Sequence, residues 1–156
     1  MTITIGQTSE KEMNLRLRIP GWASQATVKI NGQTAGVETR PGAYCDLRRR
    51  WASGDRVELA LPMPVVLLES HPLVEENRNQ VAVMRGPLVY CLEAADLPAG
   101  TVIENVRLPR EAKWKVRHEP ALLHGITVLR APRQRSGNPA RPLGDAGFQT
   151  LFRVKD

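Results

Sequence analysis

Apolar and polar residues alternate with a period of two through much of the first half of the chain. Leu15, Leu17 and Ile19 are separated by Arg16 and Arg18, the pattern of a strand with one buried and one wet face. Pro20-Gly21 ends that run, and Thr27-Val28-Lys29-Ile30 opens the next. Asn31-Gly32 follows at once, and this pair tolerates the positive φ that a type I′ hairpin turn needs at both central positions. After Pro41-Gly42, Tyr44 leads into Cys45-Asp46-Leu47-Arg48-Arg49-Arg50-Trp51. Ser53-Gly54-Asp55 then makes a turn, and Val57, Leu59 and Leu61 alternate again, so these three should face a core. Gln80 to Glu93 reads as two strand segments interrupted at Gly86-Pro87, where a proline cannot donate to a central ladder, so a bend, bulge or edge is expected there.

The pattern predicts strands near 14–19, 26–30, 43–48 and 56–61, then near 80–84, 88–92, 101–108, 113–117, 124–130 and 148–154. No long helix, heptad or internal repeat is present. Periodicity lapses and polar residues gather in Glu69–Asn79, the composition of an inter-domain connector. The segment from Ala131 to Gly147 is crowded with Pro, Gly, Arg and Ser, which suits a long surface loop because it holds too little apolar area to offset its ordering entropy. The expected fold is therefore all-β, built of antiparallel, jelly-roll-like β-sandwiches: a truncated unit over residues 10–70 and a nearly complete one over residues 78–156.

Several of these runs, in order, resemble one family. LRLRIPGWA at Leu15–Ala23, VKING at Val28–Gly32, PGAYCDLRRRWASGDRVELALPM at Pro41–Met63 and VAVMRGPLVYCLE at Val81–Glu93 are similar to the C-terminal region of glycoside hydrolase family 127, the bacterial β-L-arabinofuranosidase family. The likeness covers Leu15 to Glu93 and fades beyond Asp96, apart from Arg141-Pro142-Leu143-Gly144. It implies an α/α-barrel catalytic domain followed by two β-sandwiches, with chemistry at a cysteine nucleophile bound to zinc with other cysteines and a glutamate. All of those groups belong to the barrel, and no position here matches the catalytic motif, so no catalytic, cofactor-binding or metal-binding residue is assigned. Zinc is expected only in that missing catalytic domain. The middle sandwich lacks its first strands relative to the family, which leaves an expected unpaired edge, and the last strand is expected to lack a neighbour.

Composition adds little that is sharp. The chain has 156 residues, of which 42% are hydrophobic, with 12 Gly and 12 Pro, enough for one ordinary domain or two small ones. Its longest apolar stretch, Leu59 to Leu68, is interrupted by Pro62 and Pro64 and falls short of the roughly 20 residues of a spanning helix. MTITIGQTSEKE has neither a basic n-region nor an apolar h-region, so the default expectation is cytoplasmic if Met1 is a true start, and open for the parent if it is a fragment boundary. Two cysteines, Cys45 and Cys91, are too few for a disulfide framework, and both are expected to be buried thiols.

A net charge of +6 and the Arg48-Arg49-Arg50-Trp51 run raise nucleic-acid binding. The triplet lies in a strand-and-turn motif where three consecutive arginines cannot share a face, so no nucleic-acid or membrane partner is expected. Glu75 and Glu76 are adjacent in the connector and point apart, unlike the acid and second group of a glycosidase; Glu69, Glu93 and Asp96 show no such partner. His118 and His124, with Pro120 between them, match no zinc spacing, and His71 stands alone. Trp22, Trp51, Tyr44 and Tyr90 remain: as barrel-facing residues, or as a platform stacking on the C–H faces of arabinose-containing glycans. The reading is an accessory region that is inactive alone and braces the α/α barrel of a parent hydrolase through an apolar face including Trp22 and Leu88, with a stand-alone carbohydrate-binding module as the alternative.

Overall fold

The computed structural model describes residues 1–8, 11–97, 99–132, 134–135 and 149–154. The chain divides into two compact units, Met1–Pro64 and Val65–Asp156. The division falls at Pro64, and the polar stretch Glu69–Asn79 lies inside the second unit, because Val65–Glu69 forms a strand that pairs with Val81–Arg85. Pro62 and Pro64 hide that strand from a periodicity reading, since they make Leu59–Leu68 look like one broken apolar run.

The first unit contains β1 (Thr2–Thr4), β2 (Met13–Arg18), β3 (Thr27–Ile30), β4 (Gln33–Thr34), β5 (Tyr44–Arg49) and β6 (Arg56–Ala60). Four strands form one antiparallel sheet in the order β1-β6-β3-β4, and β2 pairs with β5 in a second. The two sheets face each other across a single core. Leu17, Ile19, Cys45 and Leu47 come from the β2–β5 side, Val28, Val57 and Leu59 from the other, and Ala23, Ala26 and Trp51 fill the ends. Ile19 and Val57 are completely buried, as their alternation with polar neighbours requires, and Leu61 packs at the margin.

Asn31 and Gly32 form the expected two-residue hairpin loop between β3 and β4, with φ of 50° and 82° and Ile30 facing Gln33. The edge expected to lie open is partly filled by β1, which pairs Thr2 with Glu58 and Thr4 with Arg56. A three-residue strand is too short to display a period.

The second unit contains β7 (Val65–Glu69), β8 (Val81–Arg85), β9 (Leu88–Cys91), β10 (Val106–Arg107), β11 (Lys115–Glu119), β12 (Ile126–Pro132), β13 (Gln134–Arg135) and β14 (Gln149–Val154). Six strands make one antiparallel sheet in the order β11-β12-β14-β9-β8-β7, and β10 pairs with β13. Gly86-Pro87 is a tight hairpin loop between β8 and β9, with Arg85 facing Leu88 and Gly86 at φ 59°, the positive φ at the first loop position of a type II′ turn. Proline is tolerated there because the loop position owes no ladder hydrogen bond.

Two expectations are corrected here. The last strand does not lack a neighbour: β14 is inserted between β12 and β9 and pairs with both, a long-range closure that no local pattern announces. The strand expected over 101–108 shrinks to β10, preceded by a 3-10 turn over Ile103–Asn105; Ile103 and Val106 are three residues apart, the period of that turn rather than of a strand. Most of the loop expected over Ala131–Gly147 lies outside the described residues. The buried centre of this unit is Val83, Tyr90 and Leu129, with Val65, Leu67, Leu92, Leu108 and Trp114 against it.

Truncating Ile19 to Ala removes a fully buried side chain from the first core and should cost about 2–5 kcal/mol. Urea unfolding followed by tryptophan fluorescence, sensitive to Trp51 in the same core, measures it. Gly32→Ala should cost about 1–2 kcal/mol by forcing a Cβ into left-handed backbone, although nothing crowds that Cβ.

Candidate functional site

The surface richest in organised chemistry is the outward face of β2 and β5. Their register sets Arg18 opposite Tyr44, Arg16 opposite Asp46 and Asn14 opposite Arg48, so alternation puts these polar side chains on one face while Leu17, Cys45 and Leu47 go inward. Asp46 is the centre of the strip. Its Oδ1 accepts from Asn14 Nδ2 at 2.8 Å and meets Arg16 Nε at 2.9 Å. The Arg16 guanidinium lies 4.9 Å from the centre of the Tyr44 ring, and Arg48 Nε meets Glu12 Oε1 at 2.9 Å. These ion pairs are exposed and individually worth ~0–1 kcal/mol; their effect is to fix orientation.

The four aromatics named from the sequence do not form one platform. Tyr44 is 55% exposed and offers its ring to solvent with Arg16 against it. Trp51 is only 5% exposed, donates Nε1 to the Met13 carbonyl at 3.0 Å, and has the Arg49 guanidinium 5.3 Å from its ring centre; it is a core residue. Trp22 is half-buried and packs on the same core from the turn after Pro20. Tyr90 belongs to the core of the second unit, 3% exposed, with no hydrogen-bond partner for its hydroxyl among the described residues.

A second polar feature, not legible in the sequence, joins two turns of the first unit. Asp55 accepts from Asn31 Nδ2 at 2.8 Å through Oδ1 and from the Ala52 N–H at 2.9 Å through Oδ2. Asn31 Oδ1 in turn accepts from the Arg56 N–H at 2.8 Å. Asp55 is 9% exposed, and its carboxyl is held below the usual carboxylate range, chiefly by the Ala52 N–H and then by Asn31. Each half was visible as a turn signal, but not the contact between them.

The second unit carries an open cleft of about 410 Å³ lined by Glu69, His71, Asn77, Arg78, Leu108 and Arg110, among others. Its charges are paired, Arg110 with Glu69 at 3.6 Å and Arg78 with Glu75 at 3.5 Å. Glu93 and Asp96 cap the 3-10 turn over Ala94–Asp96. His118 lies on β11 against Gly125, and His124 occupies a left-handed turn position at φ 60°.

Among the described residues no three or more His, Cys, Asp or Glu side chains gather as a metal would need, and the two free cysteines lie in different units. Cys45 is buried, and burial, followed by neighbouring Asp46, raises its thiol pKa, the reverse of what a nucleophile or metal ligand requires. Among the described residues, no helix is long and apolar enough to cross a membrane.

The described residues thus make an all-β chain of antiparallel units, one of them a two-sheet sandwich with an ordered polar strip on the outward face of β2 and β5. Residues 1–63 match the beta-L-arabinofuranosidase GH127 middle domain and residues 65–130 the glycoside hydrolase family 127 C-terminal domain. The chain belongs to glycoside hydrolase family 127. It is similar to the non-reducing end beta-L-arabinofuranosidase of Bifidobacterium longum subsp. longum, 34% identical over 131 residues, 80% of this chain and 19% of that protein. Among solved structures it is similar to a glycoside hydrolase at 33% identity and TM-score 0.82, covering 98% of this chain and 27% of the other. It is also similar to a GH127 β-L-arabinofuranosidase from Geobacillus stearothermophilus T6, at 38% identity and TM-score 0.78, over 98% and 25%. The chain thus spans about a quarter or less of the length of these relatives.

Because the folded-state pKa of Asp55 is depressed, its contribution is full above the unfolded carboxyl value, about 3.9, and fades as pH falls through the lower folded value. Stability of the first unit should be flat above about pH 5 and decline below about pH 4. Asp55→Asn should flatten part of that acid limb, as read from urea midpoints at a series of pH values. A disulfide-exchange thiol assay should find Cys45 unreactive in the native chain and reactive after unfolding.

Proposed function

We propose that this chain is the non-catalytic middle and C-terminal β region of a β-L-arabinofuranosidase-like glycoside hydrolase, and that it braces an α/α-barrel catalytic domain. The observation that carries this reading is coverage: 98% of the chain superposes on solved glycoside hydrolase structures, one of them a GH127 enzyme, of whose chains it covers only 25–27%. Two compact β units with their own cores suit the role, since each can fold and then offer surface to a neighbour. In this reading hydrolysis, with the zinc site that supports it, belongs to the barrel, and the substrate of the whole protein is a plant-derived β-L-arabinofuranoside. Trp22, half-buried at the edge of the first core, is a residue suited to the barrel contact.

The exposed Tyr44 ring favours a second reading, a carbohydrate-binding surface in which the ring stacks on a furanose while Arg16 and Asp46 fix hydroxyls. Titrating arabinose-containing oligosaccharides into the chain separates the two. The expected outcome is neither affinity nor release of arabinose from an aryl β-L-arabinofuranoside, with a rise in thermal stability of a family 127 catalytic domain when the chain is joined to it. Affinity that Tyr44→Ala abolishes would replace the bracing reading with the binding one, and hydrolysis by the chain alone would overturn both.

A further inference from the structure

The second unit exposes an apolar face where an ordinary surface sheet would be polar. Alternation and register put Val66, Met84 and Val89 in one cross-strand row of β7, β8 and β9, and Leu68 with Ala82 in the next. The opposite side of the same strands holds Leu67, Val83 and Tyr90, which are the core. Val66, Leu68 and Val89 are 44%, 46% and 49% exposed, Ala82 is exposed and Met84 half-buried. None of the five is charged, whereas the outward face of β2 and β5 is built from Arg16, Asp46 and Arg48. A sheet with one solvated face normally reads hydrophobic-in and polar-out, and an apolar face on both sides belongs to a sheet covered on both sides.

Area decides between candidate occupants. Three strands about 4.8 Å apart, β7 and β8 of five residues and β9 of four, at about 3.4 Å per residue make a face of roughly 230 Å², well below the ~800 Å² per partner of a stable free interface. A second copy held by this face alone would dissociate. A small apolar contact holds when its partner is supplied by the same polypeptide, which raises the effective concentration into the millimolar range. Relatives of which this chain covers 25–27% are about four times as long, so they hold further polypeptide from which such a partner can come.

Resting on the bracing reading, we infer that Val66, Leu68, Ala82, Met84 and Val89 form the docking face for an apolar surface of the catalytic domain on the same polypeptide. The test introduces Val89→Lys into the 156-residue chain and into a chimera in which this chain replaces the matching quarter of the G. stearothermophilus enzyme. Val116→Lys, on the exposed strand β11, is the control. Val89→Lys should leave the melting midpoint of the isolated chain unchanged and lower that of the chimera by several degrees, while Val116→Lys changes neither. Oxidation of Met84 by peroxide should be several-fold slower in the chimera than in the isolated chain, and Val89→Lys should erase the difference.

Equal effects of the two lysines in the chimera, or equal Met84 oxidation in both settings, would sink the docking face while leaving the bracing reading intact. If the chain adds no stability to the rest of the enzyme, bracing itself fails. Concentration-dependent dimers of the isolated chain that Val89→Lys dissolves would assign the face to a second copy instead. Should the chimera not fold, mixing the chain at millimolar concentration with the rest of that enzyme reads the same contrast, slowed Met84 oxidation supporting the inference and unchanged oxidation overturning it.

Discussion

The carboxylate of Asp55 is the point on which the first unit turns. Its two oxygens tie the Asn31-Gly32 hairpin loop to the turn before β6, and its backbone carbonyl accepts from the Ile5 N–H at 2.8 Å. Three segments distant in sequence therefore meet at one residue, which fixes the register of β6 against both β3 and β1. That register in turn decides that Val57 and Leu59 point toward Leu17 and Ile19 rather than to water, because a slip by one residue would reverse every side chain. Hydrogen bonding to an ionised acceptor suits this role, being stronger than its neutral equivalent.

From the packed pair of sheets follows the division of labour on the outside. Burying Leu17, Cys45 and Leu47 obliges Arg16, Tyr44, Asp46 and Arg48 to face outward together, so the polar strip is a by-product of making the core. The second unit solves the same problem differently. There the strands are apolar on both faces, only one of which meets a core within the unit, so the two halves of one chain present opposite surface chemistries.

Much of this was readable from residues alone where a local rule applied. The alternation of Leu15-Arg16-Leu17-Arg18 and Arg56-Val57-Glu58-Leu59 sets β2 and β6, and Asn31-Gly32 sets a turn whose φ values follow from those two residue types. What escaped was whatever depended on distance along the chain: β1 and β7, too short or too proline-flanked to show a period; the insertion of β14; and the meeting of Asn31 with Asp55. The candidate site was legible only in part. Composition made Trp22, Trp51, Tyr44 and Tyr90 look equivalent, but burial separates them, and only register reveals that Tyr44 stands on one face with Arg16 and Asp46.

The place of β14 has a consequence for how the second unit is made. Its strands β7 to β9 form one local meander and β11 to β12 another, and the strand that joins them, β14, comes after both in the chain. Until it arrives, β9 and β12 each present an unsatisfied edge, and the contacts that close the sheet are among the least local in the unit, which slows folding. During synthesis this unit therefore passes through a stage with two half-sheets open to mispairing with neighbouring nascent chains.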